Sequence, residues 1–169
     1  MGVHTGDSYC TAPMLTIAPE LQELLQKYSY DIVEAIYYAV DNGANVINMS
    51  FSLESYSPEL MRAINYAARK GVACIASAGN LGQQMLVFPA AFGNTIGVAS
   101  TDNQDQLSAF SNYGLGLATL AAPGEGVITL FPGGLYAAAW GTSFSAALVS
   151  GTIALLHDAN GGNMIPVDI

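Results

Sequence analysis

The chain has 169 residues, 51% of them apolar and only 10% charged, with 13 acidic against 4 basic side chains and a net charge of −9. Such a length and apolar content fit one domain that buries its core without disulfide or metal staples, and exclude a disordered chain. The acidic balance argues against nucleic acid and anionic lipid as partners, because both are bound by clustered Lys and Arg.

The opening Met1–Gly6 has neither the basic region nor the apolar stretch of a secretory signal, and Gly6 stands where myristoylation needs Ser or Thr. Leu21–Tyr28 reads as helical. A clearer helix is predicted over Asp31–Asp41, with Ile32, Val33, Ile36, Ala39 and Val40 at helical spacing, Ser29 as N-cap and Gly43 as the C′ residue. Asn45–Ser50 then reads as a short strand buried on both faces. Ser57, Pro58 and Glu59 mark the start of a second helix, which Arg69, Lys70 and Gly71 close. Val72–Ser77 is predicted as another buried strand, and Thr95–Ala99 and Val127–Leu130 as two more.

From Gly126 to Leu156 no residue is charged, and Leu135–Leu156 is long enough to cross a bilayer. Its many Ala, Gly, Ser and Thr residues, and the break at Gly141-Thr-Ser143, predict instead a strand or loop followed by a buried helix over Thr142–Asp158. Gly161-Gly162 stops that helix. Strands alternating with helices imply βαβ units and a mostly parallel sheet. Ligands gather at the carboxyl ends of such strands, here Met49-Ser50-Phe51 and Ala78-Gly79-Asn80.

Two short motifs carry the chemistry. Gly141-Thr-Ser143-Phe-Ser-Ala opens the last helix, where the positive end of the dipole favours a hydroxyl acquiring negative charge; ordinary capping by Thr142 or Ser143 explains the same residues. Ser77-Ala-Gly79-Asn80 ends a buried strand, where an Asn amide can donate to a developing oxyanion or simply make a turn. Of the two cysteines, Cys74 lies in an apolar run and reads as a buried thiol; Cys10 could bridge it at most once.

Taken in order with VINMS (46–50), FPAAFGNTIGVAS (88–100), LSAFSNYG (107–114) and LAAPGEGV (120–127), these motifs make the chain similar to the carboxyl-terminal half of a subtilisin-like serine protease domain. The resemblance covers about Asp31–Asp158. It implies a three-layer α/β fold with a mostly parallel sheet, truncated on its amino-terminal side, in which 31–169 form a partial catalytic domain and 1–30 match poorly. It assigns the nucleophile to Ser143 and the oxyanion side chain to Asn80. It lines the substrate groove with Ser50, Phe51, Ser52 and Thr142. It gives the pocket before the scissile bond to Ala76, Ser77, Gly79 and Val87, with a modest apolar preference. A structural calcium or monovalent cation around Phe88–Thr95 is implied by the family alone, as is an extracellular address; no cofactor or catalytic metal is expected.

The chain departs from the family at Ser52-Leu53, where glycines are usual, and at Ala147-Leu148, where Pro-His is usual. More consequentially, the family's Asp-Thr/Ser-Gly and His-Gly-Thr-His motifs do not occur in these residues. His157 lies fourteen residues beyond Ser143 on the same predicted helix, about 21 Å away, and His4 has no element to position it. The resemblance therefore implies a chain inactive alone, complemented by an upstream half or a second copy at an open sheet edge beside VINMS, unless Met14–Ile17 fills that edge. The alternative is a pseudoprotease that keeps a peptide groove without proton transfer. A nucleotide-binding domain is disfavoured, because Gly114-Leu-Gly116 lacks a final glycine and a preceding strand.

Overall fold

The computed structural model of the chain describes residues 19–162. His4, Cys10 and the Met14–Ile17 segment lie outside the described residues. Helix α1 (Pro19–Asp41) leads into strand β1 (Val46–Met49), helix α2 (Pro58–Arg69), and strands β2 (Ala73–Ser77), β3 (Ile96–Thr101) and β4 (Leu120–Pro123). A hairpin of β5 (Val127–Phe131) and β6 (Leu135–Ala139) precedes helix α3 (Thr142–Ala159).

Four strands pair in the order β1-β2-β3-β4, all parallel, and β5-β6 pair antiparallel apart from them. The sheet is sandwiched because β2 alternates: Cys74 and Ala76 face a cluster with Ile36, Val40, Leu60 and Ile64 of α1 and α2, while Ala73 and Ile75 face Ala146, Val149 and Ile153 of α3. A period of two along one strand thus supplies both cores of a three-layer α/β/α fold.

The helix ends follow local chemistry. Ser57 caps α2, its hydroxyl accepting from the N–H of Leu60 at 3.2 Å, with Pro58 in the first turn. Gly43, at φ +85, ends α1 as the Ala44 and Gly43 N–H groups bond to the carbonyls of Ala39 and Val40.

Three expectations change. Helix α1 runs unbroken through Ser29, so that residue is interior and not an N-cap; the Leu21–Tyr28 and Asp31–Asp41 patterns are one helix. Strand β1 is not buried on both faces: Asn48 is exposed and Val46 and Ile47 only half-buried, since among the described residues β1 has a single neighbour and forms the sheet edge. Leu120–Pro123, where the sequence predicts no strand, is β4 at the opposite edge, where a proline is tolerated. The uncharged stretch that could have crossed a bilayer divides into β6 and α3, and no helix among the described residues is long and apolar enough to span one.

Candidate active site

The carboxyl ends of β1 and β2 and the start of α3 meet at one edge of the sheet. The chain turns sharply after β2 through Gly79, whose φ of +91 an L side chain rarely adopts, and this turn presents Asn80. The Asn80 Oδ1 accepts both the N–H and the hydroxyl of Thr142, each at 2.9 Å. Thr142 Oγ1 in turn accepts the Gly79 N–H at 3.1 Å. With Oδ1 committed to two donors, the carboxamide orientation is set. Asn80 Nδ2 has no protein hydrogen bond among the described residues, and it lies 3.5 Å from where a side chain on Gly141 would begin.

Ser143 follows in the first turn of α3, half-buried. Its hydroxyl donates to the Ser50 carbonyl at 3.1 Å, and the Ser50 hydroxyl donates back to the Ser143 carbonyl at 2.9 Å. Asn48 extends this tie, giving its Nδ2 to Ser50 Oγ at 2.8 Å and accepting from Ser150 Oγ at 3.0 Å. The Ser143 N–H has no acceptor among the described residues, as befits a helix start, while the Phe144 N–H turns back to Gly141.

Two hydrogen-bonded groups, Ser143 with Ser50 and Asn80 with Thr142 and Gly79, are therefore brought together by the Thr142–Ser143 peptide bond. Ser77 belongs to their margin, donating to the Phe51 carbonyl at 3.2 Å. Of the expected groove residues, Ser50 and Phe51 are half-buried and Ser52 is exposed, whereas Ala76, Ser77, Gly79, Val87 and Thr142 are buried. The Thr142 hydroxyl supports the Asn80 carboxamide from behind. Leu53, one of the two departures after β1, exchanges backbone bonds with Phe88 at 2.7 and 2.8 Å, closing the segment down beside Val87.

His157 stays remote: α3 is continuous to Ala159, which leaves it about 21 Å along the axis from Ser143. Ala147 and Leu148 are exposed on α3. Cys74 is a buried free thiol, with burial pushing its pKa up to about 12. Among the described residues no group of three His, Cys, Asp or Glu side chains could hold a metal. The 88–95 segment holds no carboxylate, so a cation there would rest on main-chain carbonyls, with the Thr95 hydroxyl, which has no hydrogen-bond partner among the described residues, beside them.

A sequence profile of the subtilase family, peptidase S8, matches residues 12–169. The chain belongs to the subtilase family. It is 40% identical over 134 residues to a thermophilic serine proteinase of Bacillus sp. (strain AK1), covering 79% of this chain and 33% of that protein. It is 40% identical over 125 residues to thermitase of Thermoactinomyces vulgaris, covering 74% and 44%. Among solved structures, the self-cleaved protease domain of PatA superposes with a TM-score of 0.74 at 32% identity, covering 80% of this chain and 55% of that one. A lanthipeptide protease superposes at 0.75 with 26% identity, covering 83% and 56%. This subtilase chain thus spans a third to a little over half of the relatives it matches, and the family match begins upstream of the Asp31 at which the motifs start.

Sequence reasoning had no role for Asn112. Its carboxamide is buried beneath the Gly79–Gln83 turn, and its only local signal is a place in LSAFSNYG.

Proposed function

We propose that the chain is the nucleophile-bearing part of a subtilisin-like serine endopeptidase, with Ser143 attacking the scissile carbonyl of a polypeptide. Asn80 Nδ2 and the Ser143 N–H would bind the resulting oxyanion. The observation that carries this reading is the pair of 2.9 Å bonds from Thr142 to Asn80 Oδ1. They leave an unpaired amide donor beside the start of the helix that bears Ser143, with the helix dipole adding a positive field. In a subtilisin, loss of the oxyanion Asn costs roughly 10²–10³ in turnover, the effect to expect here from Asn80→Ala. Ser50, Phe51 and Ser52 would form one wall of the groove. Ala76, Ser77, Gly79 and Val87 would floor a small pocket of apolar preference.

Among the described residues the Ser143 proton rests on a main-chain carbonyl, which cannot act as a base. The Asp and His of the reaction would come from residues outside this chain, which by itself would retain only residual activity. A fluorogenic peptide assay tests the proposal. The chain alone is expected to give no Ser143-dependent turnover. With a polypeptide supplying Asp-Thr/Ser-Gly and His-Gly-Thr-His, a fluorophosphonate probe is expected to label Ser143. Turnover by the chain alone that Ser143→Ala abolishes would refute the need for complementation. Peptide binding with no labelling after complementation would favour a pseudoprotease.

A further inference from the structure

We infer that Asn112 is a positioning residue that fixes the oxyanion donor Asn80, an inference that rests on the function proposed above. Asn80 sits at the tip of a turn whose backbone is not part of the sheet, so something must hold it against thermal displacement. Thr142 restrains the Asn80 side chain from the α3 side. The backbone on both flanks of Asn80 is restrained by one other residue. The Asn112 N–H donates to the Gly79 carbonyl at 3.0 Å, and Asn112 Oδ1 accepts the N–H groups of Leu81 at 3.0 Å and Gln83 at 3.3 Å. Neighbouring main-chain bonds widen the clasp: Gly82 N–H to the Phe110 carbonyl at 2.6 Å and Tyr113 N–H to the Gln83 carbonyl at 3.1 Å.

Asn112 can serve as a fixed point because it is itself anchored. It is 1% exposed, and its carbonyl accepts from Ser111 Oγ at 3.1 Å. Ser111 Oγ in turn accepts the N–H of Ser100, in β3, at 3.0 Å. An unbroken chain of bonds therefore runs from the central sheet through Ser111 and Asn112 to the two residues flanking Asn80.

The choice of side chain also points to position rather than stability. Asn112 Nδ2 is buried with no acceptor among the described residues, and a buried unpaired donor is costly. It is packed so tightly on the turn that a Cβ on Gly79 would lie 2.5 Å from it. Aspartate could accept the same two N–H groups without an orphaned donor, but it would set a negative charge next to the residue meant to stabilise another one. A serine hydroxyl is too short to replace the amide oxygen. The carboxamide supplies a two-coordinate acceptor with no charge, at the cost of one unsatisfied N–H.

The test uses the chain complemented with the polypeptide that supplies Asp and His, and compares its affinities for a peptide boronic acid, whose serine adduct carries the tetrahedral negative charge, and for the same peptide as an amide. The boronate-over-amide ratio reads oxyanion stabilisation, whereas fold stability and groove binding move both affinities together. Asn112→Ala is expected to lower the ratio about tenfold or more with amide affinity little changed. Ser108→Ala, equally buried and with a hydroxyl that bonds to Ser100 Oγ and not to the turn, is expected to lose stability and keep the ratio. Should Asn112→Ala not fold, Asn112→Asp keeps the acceptor, and its ratio is expected to fall as pH rises through the carboxyl titration. A ratio that Ser143→Ala lowers but neither Asn112 variant changes overturns the inference and leaves the serine site standing. A wild-type ratio indifferent to Ser143→Ala overturns both.

Discussion

Thr142→Val removes one hydroxyl from a fully buried position and leaves the side-chain volume almost intact. That hydroxyl accepts the buried Gly79 N–H and donates to Asn80 Oδ1. Stranding the Gly79 donor costs about 1–3 kcal/mol, and losing the second bond a further ~1 kcal/mol, so the variant should be destabilised by about 2–4 kcal/mol. For a domain of this size that lowers the melting temperature by roughly 5–15 °C. Thr142→Ser keeps both bonds and gives up one buried methyl, about 1 kcal/mol. Urea denaturation of the three proteins, with midpoint and slope fitted separately, checks the ordering. A valine variant as stable as the serine variant would refute the argument that the hydroxyl, and not the packing of the methyl, holds the turn to α3.

Gly79→Ala should cost about 1–2 kcal/mol for the left-handed backbone alone, and more for the approach to Asn112 Nδ2. In an Asn112→Ala background the second part should vanish, and a double-mutant cycle by urea denaturation measures it. Burial holds the Cys74 thiol protonated to about pH 12, against 9.0 for an ordinary thiol. Between those values the unfolded chain binds fewer protons than the native one, so stability should fall by up to about 1.4 kcal/mol per pH unit as pH rises above 9. Cys74→Ala should flatten that slope in pH-dependent denaturation, leaving a smaller fall at higher pH from Tyr66, whose hydroxyl is kept protonated by its bond to Asp41. Ser57→Ala should remove the α2 cap and lower stability by about 0.5–2 kcal/mol in the same assay.

The elements legible in the sequence are those whose ends carry their own chemistry. Helix α2 is bounded by Ser57-Pro58 and Gly71, and α3 by Gly141 and Gly161-Gly162, so local rules suffice for both. Strand β4 was hidden because Leu120-Ala-Ala-Pro123 has no β-branched residue and ends in proline; its pairing with β3 comes from the tertiary fold. The exposure of Asn48 was equally hidden, since an apolar run shows that a strand packs but not whether it has a neighbour on each side. In the candidate site, Ser143 and Asn80 were visible as motifs. Thr142 was visible as a capping or groove residue but not as the support of Asn80, because the direction of a hydroxyl leaves no trace in composition. Asn112 was invisible as a support, since its bonds to Leu81 and Gln83 span about thirty residues and no local pattern records them.

The reciprocal bonds between Ser50 and Ser143 couple two parts of the molecule that would otherwise answer to different forces. Ser50 directly follows the strand at the sheet margin, and Ser143 begins the helix behind it. A shift of the main chain at Ser50 therefore carries over to the first turn of α3, because each of the two hydroxyls is held by the other residue's carbonyl.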